Sequence, residues 1–142
     1  MKDSISKEKV FAHSIDKVWK AISVGEEISS WFVKADFKPE VGYNYEFRSL
    51  GDEVCPLISG VVKEATPYTL VYTWEVENTN VETLVKWVLE QVGDQTKLTI
   101  EHSGISQYPG ESAVKMFESF NGGWDNCVSE LDKYLVKEFH AA

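Results

Sequence analysis

Residues 70–102, LVYTWEVENTNVETLVKWVLEQVGDQTKLTIEH, decide the fold. Leu70, Tyr72, Trp74 and Val76 alternate with smaller or charged residues, and so do Val81, Thr83, Val85, Trp87 and Leu89. Leu98, Ile100 and His102 repeat the pattern between Lys97, Thr99 and Glu101. Period two is the mark of a strand with one buried face. The breaks carry turn chemistry: Asn78 to Asn80 in one, Gly93-Asp94 in the other. A two-residue turn at Gly93-Asp94 sets Leu89 opposite Leu98, Trp87 opposite Ile100 and Val85 opposite His102. A turn centred on Asn78-Thr79 sets Val76 opposite Val81, Trp74 opposite Thr83 and Tyr72 opposite Val85. Both registers put the apolar residues of three strands on one face. A slip of one residue would turn every side chain over and destroy that agreement.

Working upstream, Leu57–Ala65 reads as another strand, ending before Pro67. Tyr43, Tyr45 and Phe47 alternate with Asn44, Glu46 and Arg48 as a further half-buried strand. Ile5–Ala12 reads as the first strand. Ser14 is placed to cap a short helix through the orphan amides of its first turn, with Ile15, Val18, Trp19 and Ile22 on one helical face. Ser23 and Glu26 have capping-box spacing for a second short helix, whose buried side is Ile28, Trp31 and Phe32.

Downstream, Gly104, Pro109 and Gly110 make Ser103–Gly110 a loop. A helix from about Glu111 to Phe139 closes the chain. Its inner stripe is Ala113, Phe117, Phe120, Trp124, Cys127, Leu131 and Leu135, with Val128 beside them. Gly122-Gly123 inside this helix implies a kink or a close helix–sheet crossing, or else a backbone recess facing a ligand. The sum is an α+β domain, 1–142: a curved antiparallel sheet of six to seven strands wrapped around one long helix.

Composition bounds the function. The 142 residues fit one domain with a sizeable core, and 13% are aromatic: five Trp, six Tyr and seven Phe. So many rings suit either a heavy core or a lined cavity. The net charge of −9, with Arg48 the single arginine, argues against nucleic acid and anionic membrane, which need clustered Lys and Arg. No run approaches the ~18 apolar residues of a membrane span. Met1–Lys9 is polar, unlike a signal peptide, so a cytoplasmic location with reduced thiols is expected and a Cys55–Cys127 disulfide is not. The absence of coiled-coil heptads makes a monomer the expectation.

Four stretches resemble one known superfamily: HSIDKVWKAIS (His13–Ser23) running on to Ser30-Trp31-Phe32, GVVKEATPYTLVYTWE (Gly60–Glu75), TKLTIEHSGI (Thr96–Ile105) and GGWDNCVSELDKYL (Gly122–Leu135). In this order they are similar to the START-like (SRPBCC, helix-grip, Bet v-like) superfamily, and within it to the heat-shock protein 90 ATPase activator homologues. The resemblance implies a deep cavity between the sheet and the last helix, with its mouth near Ser103–Gly110. Its lining on this chain would be Trp31, Tyr45, Phe47, Tyr72, Trp74, Val85, Trp87, Ile100, His102, Met116, Phe117, Phe120 and Trp124. The fold alone does not set an activity, because the superfamily hosts carriers, cyclases and co-chaperone modules.

Catalytic and metal signatures are not found. There is no HExxH, GxSxG, P-loop, GxGxxG or CxxC, and His13, His102 and His140 are not spaced as metal ligands. No catalytic residue, metal ligand or cofactor is assigned. His102 points inward by parity and reads first as a satisfied core or rim histidine, then as a ligand partner, and last as a general acid–base group. Trp74, Trp87 and Trp124 read as core or as walls for a flat or greasy ligand, and Tyr45 and Tyr72 offer hydroxyls that could orient it. Glu46, Glu75, Glu77, Glu82, Glu90 and Glu101 read as a solvated face, and Cys127 as a small hydrophobe. The leading expectation is a non-enzymatic binder of a small hydrophobic molecule: a lipid, a polyketide or a flat aromatic. The second is a protein-interaction module acting on a chaperone, and the third a cyclase- or hydrolase-type enzyme.

Overall fold

The computed structural model describes residues 4–31, 34–48, 57–66, 68–77 and 79–140. Phe32, Cys55 and Asn78, each named above, lie outside them. In chain order the elements are β1 (Ile5–Phe11), α1 (Ile15–Ser23), α2 (Gly25–Trp31), β2 (Lys34–Asp36), β3 (Asn44–Arg48) and β4 (Ile58–Thr66). There follow β5 (Thr69–Val76), β6 (Glu82–Val92), β7 (Gln95–Ser103), a short 3₁₀ turn (Ile105–Gln107) and α3 (Glu111–His140). Among the described residues the strands form one curved antiparallel sheet in the order β1-β7-β6-β5-β4-β3-β2. Apart from β1, which returns to pair with β7, sequence neighbours are sheet neighbours, as short connections favour.

The central meander has the register that alternation requires. Tyr72 faces Val85 and Trp74 faces Thr83. Val85 faces His102, Trp87 faces Ile100 and Leu89 faces Leu98. The β5–β6 ladder ends with Glu75 opposite Glu82, so the expected Val76–Val81 pair falls just beyond it. Gly93 turns the β6–β7 hairpin at φ +61°, a conformation open to glycine without a steric penalty.

The N-terminal helices differ in one detail. Ser14 caps α1 by accepting from the Lys17 amide, which typically contributes about 1 kcal/mol. Ser23, however, does not cap α2. Its hydroxyl donates to the Trp19 carbonyl within α1 at 2.6 Å. Val24 is the joint between the helices, its N–H closing on Lys20 and its carbonyl accepting from Ile28. The Ser-x-x-Glu spacing was outweighed by a nearer carbonyl acceptor, a competition that serine side chains regularly enter.

Two features lay outside the sequence reading. The three-residue strand β2 extends the sheet beyond β3. The 103–110 segment is not simply a loop, because Ser103 ends β7 and Ile105–Gln107 forms the 3₁₀ turn, anchored by buried Ile105 and Tyr108.

The inner stripe of α3 is uneven. Ala113, Trp124, Cys127, Leu131 and Leu135 are buried, whereas Met116, Phe117 and Phe120 are only half-covered. Gly122 and Gly123 lie on the exposed side, where an added Cβ would meet nothing within 4 Å. They therefore make neither a close helix–sheet crossing nor a backbone recess toward the interior. The helix backbone approaches β1 and the 3₁₀ turn most closely, and α1 and α2 to a lesser extent. Large side chains, not backbone proximity, bridge the gap from α3 to the middle of the sheet.

Candidate functional site

The space between sheet and α3 is built of rings in contact. At the β3 end, Phe37, Tyr45, Phe47 and Tyr72 form one group, with Tyr45 and Phe47 centroids 4.7 Å apart and Tyr45 and Tyr72 5.0 Å apart. Phe47 meets Trp74 edge-on at 6.2 Å. Trp74 in turn contacts His102, Phe120 and Trp124, and Trp87 meets Trp124 at 5.8 Å. His102 and Phe120 stack at 4.6 Å. Tilted and edge-on pairs of this kind are the favoured aromatic geometries.

The thirteen residues named from sequence fall in this one interior. Trp31, Tyr45, Phe47, Tyr72, Trp74, Val85, Trp87, Ile100 and Trp124 belong to the buried apolar core, with Met116, Phe117 and Phe120 packed against it. His102 is completely buried among them. Trp31 is set apart by its tie to the helices: its indole N–H donates to the Ala21 carbonyl at 2.8 Å. Pattern reading missed Phe37 and Tyr108. Phe37 lies just after β2, at the same parity as Ala35, a signal too short to stand out. Tyr108 sits in the segment read as loop and reaches Phe120 at 6.2 Å.

The polar atoms of this interior are ordered into short chains. The Trp124 indole N–H donates to His102 Nδ1 at 3.0 Å. An indole nitrogen can only donate, so Nδ1 is the bare acceptor nitrogen and the ring proton sits on Nε2. Nε2 is 2.6 Å from Thr83 Oγ1, and Thr83 Oγ1 donates to the Trp74 carbonyl at 3.1 Å. The imidazole is thereby held neutral in one tautomer with both nitrogens occupied. Burial pulls its pKa down to about 4. Nearby, the Trp87 indole N–H donates to Tyr72 Oη at 2.9 Å, and Tyr45 Oη donates to the Thr73 carbonyl at 2.6 Å. Burial raises the pKa of both tyrosines well above the ordinary phenol range, and does the same to the Cys127 thiol.

The reach of Tyr45 depends on Gly60. Tyr45 pairs with Gly60 across the β3–β4 ladder, and a Cβ on Gly60 would lie 2.1 Å from the Thr73 carbonyl oxygen. Here the β4–β5 ladder gives way to a side-chain bond, in which the Val61 amide donates to Thr73 Oγ1 at 2.8 Å. The absent side chain leaves room for β5 to close on β4.

Among the described residues no group of three or more His, Cys, Asp or Glu side chains could hold a metal ion. Two depressions, of about 460 and 410 Å³, border strands β2–β7. They are lined mainly by polar and acidic groups such as Asp36, Glu46, Ser59, Glu75 and Glu82, or Thr83, Ser103 and Gln107. No helix of the described residues is long and apolar enough to cross a membrane.

A curved seven-stranded sheet holding a long C-terminal helix is the helix-grip fold of the START-like superfamily. Within it, the chain belongs to the family described as activator of Hsp90 ATPase homolog 1-like protein, whose model matches residues 12–136. Protein BH1534 from Bacillus halodurans is 30% identical, over 94% of this chain and 96% of that one, with a TM-score of 0.74. Protein MLL2253 from Mesorhizobium loti shares the fold at a TM-score of 0.83, with 23% identity over 95% of this chain and 98% of that one. PFC0360w, an HSP90 activator from Plasmodium falciparum, shares it at 0.62, with 18% identity over 72% of this chain and 74% of that one. No curated protein matches the chain.

Proposed function

We propose that this protein binds a small hydrophobic molecule, without turnover, against the aromatic interior between β3–β7 and α3. The observation that carries the reading is the uneven cover of α3. Met116, Phe117 and Phe120 lie on the inward stripe, beside the ring cluster, yet remain partly open to solvent. Apolar pockets with few polar groups are the usual form of small-molecule sites, and the flexible thioether of Met116 adapts to different shapes. Catalysis through His102 is disfavoured, because both ring nitrogens are occupied and the ring stays neutral through the physiological range. A thermal-shift survey of neutral lipids and planar aromatics tests the proposal. A ligand near one hundred times its Kd should stabilise the fold by about 2.7 kcal/mol, and Phe120→Asp should abolish the effect. Absence of a saturable rise in Tm across both classes would contradict it.

A second reading follows from the family itself: a module that engages a heat-shock protein 90-type chaperone. It predicts stimulation of such an ATPase by the added protein, and an unchanged rate over a wide concentration range would end it. A monomeric state and a cytoplasmic location, with Cys127 reduced, go with either reading.

A further inference from the structure

We infer that the Trp74 indole N–H recognises a hydrogen-bond acceptor on the bound molecule, which makes the ligand a neutral carbonyl-bearing hydrophobe. This rests on the apolar-binding reading above and narrows it. Three other buried indoles have protein acceptors: Trp31 on Ala21, Trp87 on Tyr72 and Trp124 on His102. Trp74, only 4% exposed, has none for its Nε1. The great majority of buried polar groups in folded proteins are paired, and an exception calls for a partner such as a water or a ligand.

The rings that pack on Trp74 offer no substitute. Phe47, Phe120 and Trp124, whose rings pack on Trp74, carry no acceptor oxygen. His102, the fourth ring neighbour, has its one bare nitrogen taken by Trp124 and its other nitrogen on Thr83. Among the described residues no acceptor meets the Trp74 N–H, and a bound molecule can supply one. Of the four rings around Trp74, Phe120, 6.2 Å away, is the one that is partly exposed, and the ligand would enter on its side.

The electrostatics choose the type of acceptor. The buried polar residues among those described are His13, Ser23, Thr73, Thr83, Thr96 and His102; none is a lysine or arginine. A carboxylate or phosphate would be stripped of water with no cation beside it, which is prohibitive. A ketone, ester or quinone oxygen satisfies the N–H at much smaller desolvation cost.

Matched probe pairs test this. Acetylnaphthalene is compared with isopropenylnaphthalene, and methyl undecyl ketone with the alkene in which CH₂ replaces the carbonyl oxygen. Each pair keeps shape and exchanges only the acceptor. The wild-type protein should prefer each ketone about tenfold, the worth of one buried hydrogen bond. Trp74→Phe should bind ketone and alkene alike. In the wild type the Trp74 indole N–H resonance should move with the ketone and stay with the alkene, a readout that does not depend on the variant folding. Equal affinities in the wild type, with an unmoved indole resonance, would overturn this inference and leave apolar binding standing. Binding of none of the four compounds would overturn both.

Discussion

Trp124, near the middle of α3, donates its indole N–H to His102 Nδ1 at the end of β7, 3.0 Å away. The bond joins helix to sheet and fixes a proton at the same time. In the sheet His102 lies between Ile5 of β1 and Val85 of β6. Through Thr83 the chain ends on the Trp74 carbonyl.

One consequence is spectroscopic. Nitrogen NMR of His102 should show a pyrrole-type Nε2 and a pyridine-type Nδ1 at neutral pH. Trp124→Phe removes the donor that favours the neutral ring, so the pKa of His102 should rise while staying below its ordinary value. A resonance averaged between tautomers in the wild type would refute the assignment. Thr83→Val strands the Nε2 proton and should cost about 1–3 kcal/mol in urea unfolding.

Stability should also depend on pH through His102. Its folded pKa, about 4, lies below the unfolded value of about 6.5, so between these limits the unfolded chain binds the extra proton. The stabilisation is complete above pH 6.5 and is lost as the pH falls toward 4, by about 3 kcal/mol in all. Urea midpoints of the wild type and His102→Phe, measured across this window, should show the slope attributable to His102 in the wild type alone.

Glycines in two places should respond in opposite directions to alanine. Gly60→Ala forces a Cβ against the Thr73 carbonyl and should destabilise by about 2 kcal/mol or more. Gly123→Ala meets open space in a helix and should stabilise by about 1 kcal/mol. Denaturant midpoints of both variants check the pair.

The meander was legible because three strands share one buried face and two turns fix their registers, so Val85 against His102 follows from alternation alone. Trp124 and Cys127 were legible from helical spacing. Ser23 was misread because spacing cannot say which of two acceptors or donors a hydroxyl will meet. For the glycine pair in α3, the close crossing and the recess fail because Gly122 and Gly123 fall on the outward side, off the stripe that runs through Phe120 and Trp124. Phe37 escaped because three residues of β2 give too little alternation. The partnering of polar atoms was beyond sequence altogether. Nothing in the order of residues says that Trp124 would satisfy His102, or that the Trp74 donor would be left over.

The central claim, that a small hydrophobic molecule binds the rings between sheet and α3, is tested most directly by amide and indole NMR titration of labelled protein with neutral lipids and planar aromatics. Saturable shifts should cluster on Tyr45, Trp74, Trp87, His102, Phe117, Phe120 and Trp124. A flat response over both ligand classes, or shifts confined to the outer face around Glu46, Glu75 and Glu82, would contradict it.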